Sequence, residues 1–245
     1  MNYGHFGKEY AGEKAIISLT SWKARISTVG LTIFNLKQKC PGFHIVLVLS
    51  EDEFPNKEGE LPQQLVCMAN ANLFEIIWVK KNYRAFKKIL FTMDKYRTVP
   101  IISADDDCLY RRNYAAELYQ VWKTHPRTRV CYWCAHIENR IYNTSGYATI
   151  HPPFFYKNAV EYLTDDIINM HEDDLFYAAI CKLLGNTGCI CLNKTYEEIV
   201  LSHDEAEPLH DKYRNAEPSK ERFRKMYNTL KTMVEKEVKH EHHRQ

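Results

Sequence analysis

Three consecutive aspartates, Asp105-Asp106-Asp107, stand directly after the apolar run VPIISA at residues 99–104. Carboxylates at that spacing raise one another's pKa values unless a cation or hydrogen-bond donors compensate. A divalent metal does so readily, because hard oxygen ligands suit Mg²⁺ or Mn²⁺. A metal held by one or two carboxylates can also bridge two phosphates and act as a Lewis acid on a leaving group. The plainer reading is a solvated loop, or a cap for the helix expected after Asn113.

Further residues of the same character follow the pattern. His171-Glu172-Asp173-Asp174 opens an apolar-periodic stretch. Its acids suit the first turn of a helix, where the macrodipole favours negative charge. Alternatively, Asp173 or Asp174 serves as a general base that deprotonates a hydroxyl. Tyr83-Arg84-Ala85-Phe86-Lys87-Lys88 offers Lys87 or Lys88 to a phosphate, or simply forms a solvated helix face. SLTSWKAR places Ser18, Thr20, Ser21 and Arg25 where hydroxyls and a guanidinium meet a base or phosphate. His203, in LSHDEAEPLH, is either a third metal ligand or an ordinary loop histidine.

The elements that must position these groups alternate. Residues 15–20 (AIISLT), 44–50 (HIVLVLS), 74–79 (FEIIWV) and 99–104 read as strands. Between them, 27–39, 61–70 and 84–96 carry apolar residues at helical spacing, and 113–125 follows the acidic run. Near-continuous apolar strands separated by helices predict a mostly parallel sheet covered on both faces. Ligands then sit beyond the carboxyl ends of the strands, where the strand order reverses. VCYWCAHI at 130–137 reads as one more strand, antiparallel at the sheet's edge, and 138–158 as an irregular substrate-binding excursion. A helix over 172–184 is closed by Gly185.

The 245 residues suggest a domain over 1–218 and a basic amphipathic helix with tail over 219–245. Phe223, Met226, Tyr227, Leu230, Met233, Val234 and Val238 form that helix's apolar stripe, with Ser219 as the expected N-cap. Packing of the stripe on the main domain is the first expectation, and peripheral membrane contact through 219–240 the second. A net charge of +2 gives no sign of a nucleic-acid partner. No apolar run of secretory or membrane-spanning length is present. The eight cysteines include Cys131/Cys134 as C-x-x-C and Cys189/Cys191 as C-x-C, which does not complete a zinc ribbon. Buried free thiols are expected, and with them a cytoplasmic location, including the inner face of the membrane.

The ordered blocks SLTSWKARI, LVLSEDEFP, LPQQL, YRAFKKI, IISADDDCLY and HEDD, over roughly 15–185, resemble small bacterial glycosyltransferases of the GT-A fold. That family builds cell-surface polysaccharide or lipopolysaccharide. The resemblance implies a single Rossmann-like sheet flanked by helices, with the C-terminal helix outside the match. It also implies a nucleotide-sugar donor, in the first place a UDP-sugar, and a saccharide or glycolipid acceptor. The aspartates then form a DxD motif, with Asp105 and Asp106 toward the donor and Asp107, joined by Asp105, on Mn²⁺ or Mg²⁺. Asp173 or Asp174 becomes the base of an inverting displacement, and Lys87 lies near the donor. One departure is GYATIHPP at 146–153, where relatives carry a glycine-rich segment ahead of the Pro-Pro pair. A nucleotidyltransferase, a metal-dependent phosphatase and a decayed sugar-nucleotide binding module are the competing readings. A nucleotidyltransferase wants a glycine-rich loop after its first strand, and no glycine precedes Gly30 there.

Overall fold

Runs of aliphatic and β-branched residues form the centre of the sheet, because both of their faces must be covered. The structure is a computed structural model and describes residues 14–138, 141–144, 148–153, 155–156, 158–185, 188–195, 197–201 and 218–242. In chain order, β1 (Ile16–Thr20), α1 (Val29–Lys39), β2 (His44–Ser50), α2 (Gln63–Asn70), β3 (Glu75–Val79), α3 (Lys87–Lys95) and β4 (Ile101–Ser103) make the alternating half. β5 (Cys108–Tyr110) and α4 (Tyr114–Thr124) follow the acidic run. Next come β6 (Arg129–Cys131), β7 (Cys134–Glu138), β8 (Ile141–Thr144) and β9 (Thr149–His151). The chain continues through α5 (Asp165–Ile168), α6 (Asp173–Leu183), β10 (Cys189–Cys191), β11 (Glu197–Val200) and α7 (Ser219–His242).

Seven of these strands form one sheet in the order β10-β6-β9-β4-β1-β2-β3. β1 pairs in parallel with β2 on one side and β4 on the other, so Ile17 lies between Ile45 and Ile102. The strand order reverses there, which is where a sheet of this kind is expected to bind its ligand, beyond the carboxyl ends of β1 and β4. Successive side chains of a strand point to opposite faces. Ile17, Leu19, Ile45 and Leu47 pack with Val29, Ile33 and Leu36 of α1, Leu65 of α2 and Leu118 of α4. Ile16, Val46 and Val48 pack with Ile89 and Met93 of α3, Phe176 of α6 and Phe223 of α7. Burying each aliphatic side chain of this size contributes about 1.5–3 kcal/mol. The result is the expected mixed α/β fold, with a mostly parallel central sheet between helices.

Several elements depart from the sequence reading. The helix expected over 84–96 opens with a 3-10 turn at Arg84–Phe86, and α3 begins only at Lys87. VCYWCAHI is two strands in different sheets, broken at Tyr132-Trp133. Tyr132 turns inward and its hydroxyl donates to the Tyr114 carbonyl at 3.0 Å, whereas Trp133 is exposed. β6 runs parallel to its neighbour β10, which takes the sheet's edge instead. The stretch expected to be irregular contains β8, paired with β7, and β9, which runs antiparallel between β4 and β6.

α7 spends its apolar face on the domain: Phe223, Met226 and Leu230 are buried in the same cluster as Phe176 and Ile180 of α6. Lys220, Arg224, Lys225 and Lys231 face outward. Packing on the main domain therefore accounts for Phe223, Met226 and Leu230, while the side chain of Val238 lies outside the described residues. The Pro218 carbonyl accepts from the amides of Glu221 and Arg222, which puts Pro218 rather than Ser219 at the cap position. The Ser219 hydroxyl instead accepts from Arg222 at 3.1 Å. Gly185 (φ 68) follows the Leu184 cap of α6, the left-handed place where glycine ends a helix without steric cost. Among the described residues, no helix is long and apolar enough to cross a membrane.

Candidate active site

The acidic run leaves β4 at the strand-order reversal and meets the segment that leaves β1. Asp106 is its buried member, 2% exposed. Ser21 donates to it at 2.6 Å, and Arg25 Nη2 lies 3.1 Å from its other oxygen. From α1, Thr32 donates to the Asp106 carbonyl at 2.9 Å. Burial pushes the Asp106 carboxyl up to about 6, against the opposing pull of Arg25 and Ser21. Arg25 also reaches Asp107 through Nη1 at 2.5 Å. One guanidinium thus forks across two adjacent carboxylates, a geometry suited to arginine and not to lysine.

Asp105 is held from the opposite direction. Its amide donates to the Tyr110 hydroxyl at 2.7 Å, and its carboxylate accepts from Lys88 Nζ at 2.8 Å. Lys88 is buried on α3, and its ammonium also lies 3.9 Å from Asp173 Oδ2 at the start of α6. Burial alone would lower the Lys88 pKa, but Asp105, Asp173 and Asp174 outweigh it and hold the ammonium charged. For Asp173, burial pushes the carboxyl above its ordinary value, with Lys88 opposing and Asp105 adding to the rise. Asp173 Oδ2 is buried and, among the described residues, has no hydrogen-bond partner, with the Lys88 ammonium 3.9 Å away. The helix start that carries it is fixed by an ion pair between Glu172 and Arg222 of α7.

Asp105, Asp106, Asp107, Ser21, Arg25 and Asp173 therefore lie together around Lys88 and Arg25, and Asp174 follows Asp173 in the first turn of α6. Ser18 is not among them. It is fully buried, and its hydroxyl is taken by the Lys88 carbonyl and by Thr92 Oγ1, so it pins α3 to β1. Thr20 donates to the Val48 carbonyl at 2.7 Å and so ties β1 to β2. Lys87 makes its contacts beside the run, with its side chain 2% exposed and lodged 3.6 Å from Glu53 and 3.3 Å from Asn82, and it feels the charge of Asp106. Lys88 is the member of the pair that enters the cluster. His203 lies outside the described residues. Sequence reasoning missed Tyr110, whose only signal is its place three residues after the acidic run. Ala148, in the segment where glycine was expected, adopts φ 59 at the end of the β4–β9 pairing. That region is costly for a residue with a Cβ.

Arg25 and Lys88 offset part of the triplet's charge. Asp105 and Asp107 are its partly exposed members, with side chains 29% and 23% exposed. Carboxylates are the ligand type that Mg²⁺ or Mn²⁺ takes, one or two of them being completed by water and substrate phosphate. The arrangement offers the partly exposed carboxylates of Asp105 and Asp107 and, at Asp173, a carboxyl whose pKa burial raises.

No family model matches the chain, and no curated protein does. Among solved structures it is similar to the crystal structure of S. aureus TarS 1–349, a glycosyltransferase, at 12% identity and a TM-score of 0.47. The match covers 75% of this chain and spans 59% of that one.

Proposed function

We propose that the chain is a glycosyltransferase that moves a sugar from a nucleotide-diphosphate sugar to a hydroxyl of a saccharide or glycolipid. The observation that carries this reading is the bridge made by Lys88, 2.8 Å from Asp105 and 3.9 Å from Asp173. It couples the acidic run at the strand-order reversal to a helix-borne carboxylate across the crevice. The donor we propose is a UDP-sugar, bound over the ends of β1 and β4. Asp107 and Asp105 would hold Mn²⁺ or Mg²⁺, which when bound supplies charge stabilisation for the departing diphosphate.

The chain's own groups divide the remaining work. Ser21 and Arg25 fix Asp106 and Asp107, so the acidic run keeps one shape as a ligand arrives. Lys88 orients Asp105 and Asp173 toward each other. The acceptor oxygen attacks the anomeric carbon as the bond to the diphosphate breaks, and its proton passes to Asp173. A single displacement of this kind inverts the anomeric centre. The raised pKa of Asp173 suits it to the task, since a base works best when its pKa approaches the working pH.

A thermal-shift series with nucleotide sugars, with and without Mn²⁺, tests the reading. A ligand at a hundred times its dissociation constant stabilises by about 2.7 kcal/mol. The expected result is a metal-dependent shift from a nucleoside diphosphate that disappears in Asp107→Ala. A chain that answers to no nucleotide with or without Mn²⁺ is not a nucleotide-sugar transferase.

A further inference from the structure

The eight cysteines form no disulfide, and four of them meet at one edge of the central sheet. Cys131 ends β6 and Cys134 begins β7, with only the Tyr132-Trp133 turn between them. Cys189 and Cys191 stand two apart on β10, and therefore share a face of that strand. β10 pairs in parallel with β6 and puts Cys191 opposite Cys131 in register. The sulfurs of Cys131, Cys134 and Cys189 all lie within 4.8 Å of one another, with 3.4 Å between Cys131 and Cys189. Cys191 lies beside this group: its thiol is 3.6 Å from the Tyr132 carbonyl, in the turn between Cys131 and Cys134, and 3.2 Å from Asn193 Oδ1.

We propose that Cys131, Cys134, Cys189 and Cys191 bind one zinc ion as a structural tetrathiolate site. Zinc–sulfur bonds of about 2.3 Å place the sulfurs of a tetrahedral site about 3.8 Å apart. The three grouped sulfurs lie within about 1 Å of that spacing, and Cys191, opposite Cys131 in register, is the fourth thiol at the same edge. The C-x-x-C turn supplies two ligands and the C-x-C strand supplies two. The strand register unites pairs that no contiguous zinc motif in the sequence would reveal.

Charge balance supports the assignment. Binding releases the four thiol protons and leaves a net charge of −2 on the metal and its sulfurs. The guanidinium of Arg129, on β6 and 1% exposed, acts directly on Cys131 and Cys189 and offsets part of that charge. A disulfide would use two of the four sulfurs and leave the other two without a role.

The site would act as a staple. It fastens β10 to β6 and to the start of the β7–β8 hairpin. The segment that leaves β10 returns as β11, which pairs with β5. The amide of Leu201, just past β11, donates to the Asp107 carbonyl at 2.7 Å. Metal at the edge therefore bears on the backbone of the acidic run.

The test uses the full chain kept reduced. Elemental analysis after Zn²⁺ loading and gel filtration is expected to give one zinc per chain. Co²⁺ in its place is expected to show the intense thiolate charge-transfer and tetrahedral bands. In alkylation mapped by mass spectrometry, Zn²⁺ should protect Cys131, Cys134, Cys189 and Cys191 and leave the exposed Cys67 reactive. Cys189→Ser should weaken Co²⁺ binding at least tenfold, and Cys67→Ser should leave it unchanged. Substoichiometric metal, a Co²⁺ spectrum without thiolate bands, or equal alkylation with and without Zn²⁺ overturns the proposal. So does a Cys131–Cys189 disulfide that forms in air and that Zn²⁺ does not prevent. Should Cys189→Ser fail to fold, the alkylation pattern of the unaltered chain decides.

Discussion

At the scale of single residues, the acidic run is three carboxylates in three environments. Asp106 is raised to about 6 from an ordinary 3.8, so the folded chain binds its proton more tightly than the unfolded chain does. Its contribution to stability is present below about pH 4 and is lost as the pH rises through about 6. The difference is worth about 3 kcal/mol at 1.36 kcal/mol per pKa unit. Measured by urea midpoints, the stability of the unaltered chain relative to Asp106→Asn should therefore improve by about 2–3 kcal/mol from pH 7 to pH 4. A constant gap across that range would mean that Asp106 is not the titrating group. Asp173 and Asp174 are separated by a different measurement. Asp173→Asn is expected to keep nucleotide-sugar binding and lose transfer by about 10²–10⁴-fold, the usual contribution of a general base. Asp174→Asn should retain most of the rate, and wild-type transfer by Asp173→Asn would remove the proposed base.

At the scale of elements, α7 acts through its buried face. Leu230 is fully buried against α6, and Leu230→Ala should cost about 2–5 kcal/mol by denaturant unfolding. Lys225→Ala, on the outward face, should stay within about 0.5 kcal/mol. Equal effects at the two positions would show that the helix does not dock. How much of the structure was legible depends on whether a signal was local. β1, β2 and β3 announce themselves as short apolar runs, and the acidic residues stand out because charge abruptly follows a strand. β9 did not, because THR-ILE-HIS at 149–151 carries too few residues for a period and owes its pairing to β4 and β6, distant in sequence. The choice between Lys87 and Lys88 was hidden for a related reason. The 3-10 turn at Arg84–Phe86 has three residues per turn, and so shifts the phase of the α-helix that follows. The four-cysteine cluster likewise arises from strand pairing and not from spacing along the chain.

At the scale of the whole molecule, the sheet is most protected at its centre and least at its β10 edge. β1 is hydrogen-bonded on both sides and its residues 16–19 are fully buried, whereas β10 has one partner and is only partly buried. Amides of β1 should exchange with deuterium only through global unfolding, and those of β10 through smaller local openings. Comparable exchange at the two strands would contradict this gradient. The reversed strand β9 also dictates an order of events during synthesis. β4 emerges with β1 already made, but its other side stays open until residues 149–151 have been added. At about 5–20 residues per second, that interval lasts roughly 2–10 s. Throughout it, the unfilled row of amides and carbonyls on β4 is a template for any passing strand. A nascent chain paused between these two strands is therefore the form of this protein with the greatest need of a chaperone.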